Sequence, residues 1–472
     1  MRKYYWYISI FFRKHGAIII GSIIAAILLF SLAFPVLSRI FEFKKRTYIG
    51  VVGRYSFEFL PPQIQNEMSS GLTKIEPDFS VTQDLAERWN TEDDGKTYRF
   101  LLKKNIVWQD GKPFVPSDVN YNFSDVQTII TPNEVVFKLK DPFVPFPSIV
   151  SQPLFRTVDE PYLFFFKKKR IIGIGKNEVV DFKETGTELD ELVINETDQQ
   201  KIYRFYGTED EAIAAFKRGE VDVVPDLASA YGLSDWPNVN VTKRLDTSTY
   251  LAVFFDTHDD TLRSNEVRQA LNYALPKPTD ETRAIGPINP KSWAFANVAK
   301  RYDFDEQRAI DRILSANGMP HKPIQIELTT PSQFDGDAEK IKKAWEDFGQ
   351  LAYQACLSNS SIKDKTLCPN TQIHVNVKIN NFPDTTNFQA LLVGQQIPVD
   401  PDQYALWHSS PPTNFTHYKN IRIDSLLEKG RQTEDRKKRF EIYSQFQEFF
   451  SEDAPAIFMK YLYKYDIARK GK

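Results

Sequence analysis

Alternating apolar and polar residues predict the first clear element of the chain, a half-buried β-strand over residues 96–102. Asp94-Gly95 precedes this strand and Asp110-Gly111 follows it. Both dipeptides predict turns, because glycine adopts positive φ at little steric cost. After the second turn Ser117 is a suitable N-cap, which predicts a short helix through Phe123. The large apolar residues expected to pack these pieces together are Trp89, Trp108 and Phe114.

In most of the remaining chain, segments whose apolar residues have helical spacing alternate with segments that have strand spacing. The predicted helices cover residues 208–219, 265–274, 310–318, 341–351 and 433–450. The predicted strands cover residues 47–52, 221–224, 250–255, 324–328, 373–379 and a C-terminal stretch from 455. Helices and strands that alternate at these lengths predict an α/β fold with layered helices and sheet. A hairpin is predicted over residues 126–139, with its turn at Thr131-Pro132-Asn133.

Residues 17–38 form one uncharged apolar stretch of 22 residues. As a helix it would be about 33 Å long, enough to cross a bilayer core of about 30 Å. It is too long and too uniformly apolar for a buried core helix. A cleaved signal peptide is the closer alternative, but no Ala-x-Ala site follows. We predict a retained signal-anchor after a cytoplasmic N-terminus of residues 1–16, and the absence of a following cysteine argues against a lipoprotein.

The length and net charge of the chain limit the number of domains and the kinds of partner to be expected. Roughly 430 residues follow the apolar stretch, which is typical of two or three domains. The formal net charge is only −2, whereas a nucleic-acid-binding protein usually presents a strongly basic face. Nucleic acid is therefore not an expected partner.

The chain has two cysteines, Cys356 and Cys368. In an exported domain they could close a small disulfide loop, and in a reducing compartment they would be two unrelated thiols. The sequence leaves both alternatives open.

Motifs for catalysis are missing from the sequence. It contains no G-x-S-x-G elbow, HExxH, CxxC or phosphate-binding loop, and its six histidines show no metal-ligand spacing. The adjacent acidic residues lie in predicted turns, where aspartate is favoured for its backbone hydrogen bonds. We expect a binding protein without a cofactor and not an enzyme.

The order of the motifs between residues 85 and 123 resembles the signature of a known family. The matching positions are Leu85-Ala86 with Trp89, Asp94-Gly95 with Tyr98 and Phe100, Asp110-Gly111 with Pro113, and Asp118-Val119 with Phe123. This pattern resembles the family 5 solute-binding proteins of bacterial ABC importers, the peptide/nickel group. Residues 212–224, 265–274 and 399–431 resemble three further segments of that family.

The resemblance implies a two-lobed periplasmic-binding-protein-like fold, type II, cluster C, with a hinge of crossing strands. It also implies an outer-face location for the large domain. The expected boundaries are residues 47–250 for lobe I, 251–455 for lobe II and 456–472 for a return segment to lobe I. The hairpin replaces a helical insertion of the relatives, so a reduced accessory subdomain is expected at about residues 90–150.

By the same resemblance, a set of residues is expected at the cleft between the lobes. The candidates are Gln395, Gln396, Asp400, Tyr404 and Trp407 from lobe II, Tyr250 and Phe254 from the crossing strand, and Trp293 from a following loop. Packing within a lobe is the alternative for each, and for Trp407 it is favoured. Peptide-binding relatives carry an aspartate where this chain has Ile397 and a tryptophan where it has Gln395.

The resulting expectation is a membrane-anchored monomer that captures oligopeptides or similar extended solutes. It would deliver them to the permease subunits of an ABC importer from the extracellular or periplasmic face. The alternative from another class is a tethered sensor or adaptor of the same fold that binds a partner protein and serves no transporter.

Overall fold

The computed structural model describes residues 14–16, 18, 21–26, 44–162, 166–316 and 322–471. Of the predicted membrane span over residues 17–38, it describes residue 18 and residues 21–26, which are helical and exposed. The rest of that prediction lies outside the described residues. Within the described ranges, no helix has both the length and the apolar composition that crossing a bilayer requires.

One sheet of ten strands runs through the molecule, in the order β10-β11-β12-β1-β13-β18-β14-β17-β15-β16. Smaller sheets pair β2 with β3 and β8 with β9, and join β4-β5-β7-β6. The strands are β1 Lys45–Val52, β2 Thr73–Ile75, β3 Val81–Gln83, β4 Ala86–Glu92, β5 Thr97–Leu102, β6 Gln127–Ile130, β7 Glu134–Lys138, β8 Arg156–Tyr162, β9 Phe166–Ile172, β10 Glu178–Thr185, β11 Glu188–Asn195, β12 Gln199–Tyr206, β13 Val223–Leu227, β14 Val239–Phe255, β15 Ile324–Thr330, β16 Ile373–Ile379, β17 Ala390–Gln396 and β18 Ala456–Arg469.

Two long antiparallel strands, β14 and β18, connect the two ends of this sheet. At one end β18 pairs with β13, and at the other β14 pairs with β17. Between these ends the two strands pair with each other, from Val239 opposite Arg469 to Phe254 opposite Ala456. We call residues 44–238 the N-terminal part and residues 256–455 the C-terminal part. β14 and β18 are the crossing strands between them.

Several helices begin or end at residues with identifiable capping roles. Thr208 and Glu211 form a reciprocal capping box, and Gly219 ends the same helix in the left-handed conformation. Ser264 caps the helix that follows β14. The helices are α1 Pro62–Met68, α2 Phe146–Ile149, α3 Glu209–Arg218, α4 Asn265–Tyr273, α5 Glu306–Ser315, α6 Asp335–Ser358, α7 Tyr404–Trp407, α8 Ile421–Gln432 and α9 Arg436–Asp453.

The predicted helix through Phe123 is wrong. Only a 3-10 turn forms at Pro116–Asp118, and Val119 continues in an extended conformation. The carboxylate of Asp118 accepts hydrogen bonds from the indole Nε1 of Trp108 (2.9 Å) and from the backbone N–H of Val115 (2.9 Å). The carboxylate of Asp118 therefore fixes this loop against Trp108 instead of supporting a first helical turn. The hairpin of β6 and β7 confirms the other prediction for this region.

The crossing strand β14 buries both of its faces in the C-terminal part. Leu251 and Val253 pack with α4, α5 and α6 in one hydrophobic cluster, which also contains Trp345 and Phe348 as the sequence predicts. The intervening residues of the strand pack against α7, α8 and α9 in a second cluster. Because side chains alternate across a strand, one extended segment supports both cores. The N-terminal part has separate clusters around its small sheet, its main-sheet strands and α3.

A disulfide bond joins Cys356, in the last turn of α6, to Cys368 in the 3-10 segment Lys365–Thr371. Their Cα atoms are 5.5 Å apart, and both residues are buried. The bond fastens the end of the longest described helix to the segment that leads into β16.

Candidate functional site

A cavity of about 280 Å³ lies between the N-terminal part and the C-terminal part. Pockets of roughly this size and larger hold small solutes in proteins. The residues that line it from the N-terminal part are Phe79, Ser80, Val81, Trp89, Thr91, Tyr98, Val144, Pro145, Pro147 and Ser148. Those from the C-terminal part are Trp293, Asp400, Glu434, Arg436 and Arg439. We call this space the aromatic cavity.

The wall contributed by the N-terminal part is a rigid aromatic surface. Trp89 on β4 is half-buried and stacks on Phe100 of β5, with ring centroids 6.1 Å apart. The hydroxyl of Tyr98 donates a hydrogen bond to the carbonyl oxygen of Phe143 (3.0 Å), and burial raises the pKa of this tyrosine. Its ring is therefore a neutral, immobile part of the wall. Aromatic faces fixed in this way bind apolar or planar groups at little cost in side-chain entropy.

The wall contributed by the C-terminal part is held by a buried ion pair. The guanidinium of Arg439 donates to both carboxylate oxygens of Asp400, at 2.9 and 2.5 Å, and to the carbonyl oxygen of Gly430 at 2.8 Å. Burial disfavours the charge of Arg439, but the adjacent Asp400 raises its pKa above the ordinary value. Asp400 is thus committed to fixing α9 against the loop after β17 and has little capacity left for a ligand.

Two exposed charges and a tryptophan complete this wall. The guanidinium of Arg436 lies 5.2 Å from the ring centroid of Trp293 and 3.2 Å from the carboxylate of Asp78. Glu434 adds an exposed carboxylate at the rim. The cavity therefore combines aromatic and polar surface with one cation and one anion at its edge, an arrangement that suits a solute carrying both polar and apolar groups.

Direct contacts join the two parts beside the cavity. The backbone N–H of Trp293 donates to the carbonyl oxygen of Asp78 (3.1 Å), and that of Val144 donates to the carbonyl oxygen of Arg431 (2.8 Å). The guanidinium of Arg431 also lies 5.1 Å from the ring centroid of Phe143. These contacts join the two walls at the side of the aromatic cavity.

Two of the eight residues predicted for the cleft, Trp293 and Asp400, line the aromatic cavity. Tyr404 lies nearby, because Arg431 stacks on its ring at 3.9 Å, but it does not line the cavity. Gln395 and Gln396 end β17. The amide of Gln395 donates to the carbonyl oxygen of Gln396 (3.0 Å), and neither lines the cavity.

Tyr250, Phe254 and Trp407 lie inside a hydrophobic core instead of at a cleft wall. At most 1% of each residue is exposed. The ring of Trp407 stacks on Phe254 at 5.9 Å and meets Phe450 edge-on at 4.5 Å. The physical reason is the alternation of β14, which directs Tyr250 and Phe254 onto α9 and onto α7, the helix that carries Trp407. The packing alternative favoured for Trp407 agrees with this placement.

The prediction missed Trp89, Tyr98, Arg436 and Arg439. Trp89 and Tyr98 were part of the recognised motif, but their spacing indicated only packing within the small sheet. Both do pack there, and their remaining surfaces face the C-terminal part. The two arginines follow the N-cap Asp435 at the start of α9, where charged residues usually indicate a solvated helix end. No local signal in the sequence could have identified these four.

A second cavity, of about 680 Å³, lies along the crossing strands. It is lined by Thr249 of β14, Gly394 of β17 and residues 460–465 of β18, together with Phe334 beside α6. Glu209 and Ala228 reach it from the N-terminal part. This space, the crossing-strand cavity, borders the two strands that connect the parts.

Two α/β parts that share a pair of crossing strands, with a lined space between them, define the class of periplasmic-type binding proteins. Such proteins close on a solute by rotating one lobe against the other. Within this class, the chain belongs to the bacterial extracellular solute-binding proteins, family 5, whose middle-region model matches residues 80–415. Proteins of this family bind solutes for ABC importers outside the cytoplasm and are not enzymes.

Individual relatives agree with this assignment. The chain is 23% identical to the oligopeptide-binding protein AppA of Bacillus subtilis over 467 residues, covering 86% of this chain and 83% of AppA. The structure is similar to that of NikZ from Campylobacter jejuni in complex with Ni(L-His), with a TM-score of 0.66, 21% identity and coverage of 90% and 94%. It is also similar to AppA in complex with a nonapeptide, with a TM-score of 0.59, 19% identity and coverage of 90% and 95%.

Proposed function

We propose that this protein is the membrane-anchored solute receptor of an ABC importer and that it captures oligopeptides or similar extended solutes. The aromatic cavity is the observation that carries this proposal, because aromatic residues from both parts line one space. A solute held there would contact both parts at once and would therefore favour their closed arrangement. The permease would recognise that closed arrangement.

The moving units would be lobe I, residues 47–250, and lobe II, residues 251–455, with residues 456–472 returning to lobe I. Support for this division comes from β18, which pairs with β14 along most of its length and with β13 near its C-terminal end. Ile457, Phe458 and Tyr461 of the return segment pack in the hydrophobic clusters of lobe II and would move with that lobe. Bending would be confined to β14 and β18, and the register shift between Asp246 and Tyr250 is a suitable place for it.

Recognition of the solute would rest on aromatic contacts and would not require an aspartate paired with a ligand amine. Ile397 stands where peptide-binding relatives carry an aspartate, and here it is buried in a core cluster, with its backbone N–H bonded to Ser248. No carboxylate at this position can therefore pair with a ligand amine. We expect the protein to accept peptides with free and with blocked amino termini.

The test is a panel of peptides of two to eight residues, each with a free and with an acetylated amino terminus, titrated calorimetrically. The proposal expects one peptide per chain and similar affinities within each pair. Loss of a paired ionic contact typically costs about 2–5 kcal/mol. A difference of that size would contradict amine-independent recognition. Binding of no peptide would contradict the peptide class.

The sensor or adaptor alternative makes a different prediction. Such a protein would bind a partner protein with its cavity empty and would have no permease to serve. Genes for permease and ATPase subunits beside the gene for this chain favour the importer, and their absence together with a stable protein partner favours the adaptor.

A further inference from the structure

Two histidines and one aspartate meet in the C-terminal part, among residues that do not line either cavity described above. Asp256 directly follows the end of β14, and His258 comes two residues later. His417 lies in the loop between α7 and α8. The sequence showed no metal-ligand spacing because the third residue comes from a distant segment, which only the fold brings to the first two.

The geometry of the three side chains is compact. Nδ1 of His417 lies 2.9 Å from Oδ1 of Asp256. The rings of His258 and His417 are nearly parallel, at an interplanar angle of 7° with centroids 4.6 Å apart. One donor atom from each of the three residues lies within 4.8 Å of the other two.

The backbone holds the two contributing loops in place. The N–H of Thr257 donates to the carbonyl oxygen of Thr416 (2.9 Å), so the residues next to His258 and His417 are directly bonded. The N–H of Asp256 donates to the carbonyl oxygen of Gln389 (2.9 Å). The N–H of His258 also donates to Oδ1 of Asp256 (3.0 Å). The relative position of the three residues is therefore fixed by main-chain contacts before any ligand binds.

We propose that Asp256, His258 and His417 bind one divalent transition-metal ion of the Zn²⁺, Ni²⁺, Co²⁺ or Cu²⁺ class. Two imidazoles and one carboxylate are the donors these ions prefer, whereas Mg²⁺ and Ca²⁺ prefer oxygen ligands throughout. Donor atoms about 2.1 Å from a tetrahedral ion lie about 3.4 Å apart. The rings of His258 and His417 are stacked here, so metal binding requires the exposed ring of His258 to turn until its nitrogen faces the other two donors.

The alternative is that Asp256 and His417 form an ordinary surface hydrogen bond on which His258 stacks. The two accounts differ in what the second histidine does. In the metal site both imidazoles are ligands, and the ion joins the end of β14 to the loop before α8. In the hydrogen-bonded pair His258 is dispensable, and no ion binds with defined stoichiometry.

The experiment uses the full chain, stripped with a chelator and titrated with Zn²⁺ and separately with Ni²⁺. We expect one ion per chain, with affinity lowered at least tenfold in His258→Ala and in His417→Ala and lowered measurably in Asp256→Asn. The matched control is His374→Ala, which removes an exposed histidine on β16 and should bind like the wild type. Mg²⁺ should not compete.

A second measurement separates loss of ligands from loss of folding. Zn²⁺ should raise the melting temperature of the wild type and of His374→Ala, but not that of the double variant His258→Ala/His417→Ala, whose metal-free melting temperature should match the wild type. Co²⁺ should give visible absorption typical of imidazole ligation only where both histidines are present. Equal binding by wild type and double variant, or no saturable binding by the wild type, would overturn the proposal.

Discussion

At the scale of single residues, the candidate site rests on charges that are already paired inside the protein. Asp400 and Arg439 line the aromatic cavity, yet each satisfies the other. Neither the charge pattern of the sequence nor the family motif reveals this pairing. The aspartate comes from a loop after β17 and the arginine from α9, and only the folded arrangement brings them together.

We predict that Arg439→Met destabilises the protein by about 3–5 kcal/mol, because it leaves the carboxylate of Asp400 buried without a partner. The double variant Asp400→Asn/Arg439→Met should recover much of this loss. Unfolding in urea measures both. Lys437→Met, at an exposed position of the same helix, is the control and should stay within about 0.5 kcal/mol of the wild type. Equal destabilisation by the single and double variants would contradict the pairing argument.

Asp402 provides a prediction about pH. Burial raises the pKa of Asp402 above its ordinary value, although Arg431 at 2.8 Å opposes the shift. A carboxyl whose pKa is raised on folding stabilises the folded state below its unfolded pKa, and this contribution is lost as pH rises through the folded pKa. Asp402→Asn removes the titration and keeps a side-chain oxygen for the N–H of Tyr404.

The stability of Asp402→Asn relative to the wild type should therefore increase as pH rises from about 4 toward 7. Urea unfolding at several pH values measures this difference. A difference that stays constant, or that shrinks with rising pH, would show that the ion pair with Arg431 outweighs burial.

The ligand site predicted from the sequence stays a prediction, but the structure shows where its residues lie. Trp293 and Asp400 lie in loops and line the aromatic cavity. Tyr250 and Phe254 lie in a core instead, because an apolar strand buried on both faces has no surface left for a cleft. Trp89 was missed because its ring both packs against a core and lines the cavity. The periodicity of the sequence indicates only the packing.

At the scale of elements, capping and alternation predicted α3, α4 and β5 to within a few residues. The predicted helix through Phe123 does not form. Asp118, next to the expected N-cap, accepts a hydrogen bond from Trp108 instead of supporting a first helical turn. That contact spans a turn and is a tertiary interaction, which local propensity does not describe.

The disulfide fixes the end of α6, and its effect on stability can be measured. The two cysteines are 12 residues apart, and closing a loop of about this length is worth about 3 kcal/mol. Cys356→Ala/Cys368→Ala should therefore lower the free energy of unfolding by about 2–3 kcal/mol. A reductant should lower the free energy of unfolding of the wild type similarly and leave that of the variant unchanged.

Non-reducing peptide mapping of exported protein should find Cys356 and Cys368 linked, and free thiols at both positions would contradict this.

At the scale of the whole molecule, the apolar stretch over residues 17–38 leads us to expect a protein attached to the membrane. The full chain should fractionate with membranes after carbonate washing. A chain starting near Lys45, where β1 begins, should be soluble and monomeric. Recovery of the full-length protein as a processed soluble form would contradict a retained anchor.

The arrangement of the two parts could be expected only from the family resemblance, because no periodicity encodes how one part faces the other. The aromatic cavity depends on the contacts of Trp293 with Asp78 and of Arg431 with Val144, which join segments far apart in the chain. The sequence thus predicted most elements of each part, and the structure was needed for the space between them.

Native mass spectrometry of the protein with a defined mixture of short peptides tests the central claim, capture of a solute in the aromatic cavity, most directly. The account predicts one bound peptide per chain in the wild type and in the control Trp236→Ala, which alters an exposed tryptophan outside both cavities. Trp89→Ala/Trp293→Ala should lose at least about tenfold in affinity, since each deletes an aromatic contact typical of binding hot spots. Trp89→Phe/Trp293→Phe should recover part of it. Undiminished binding by the folded double alanine variant would contradict the account.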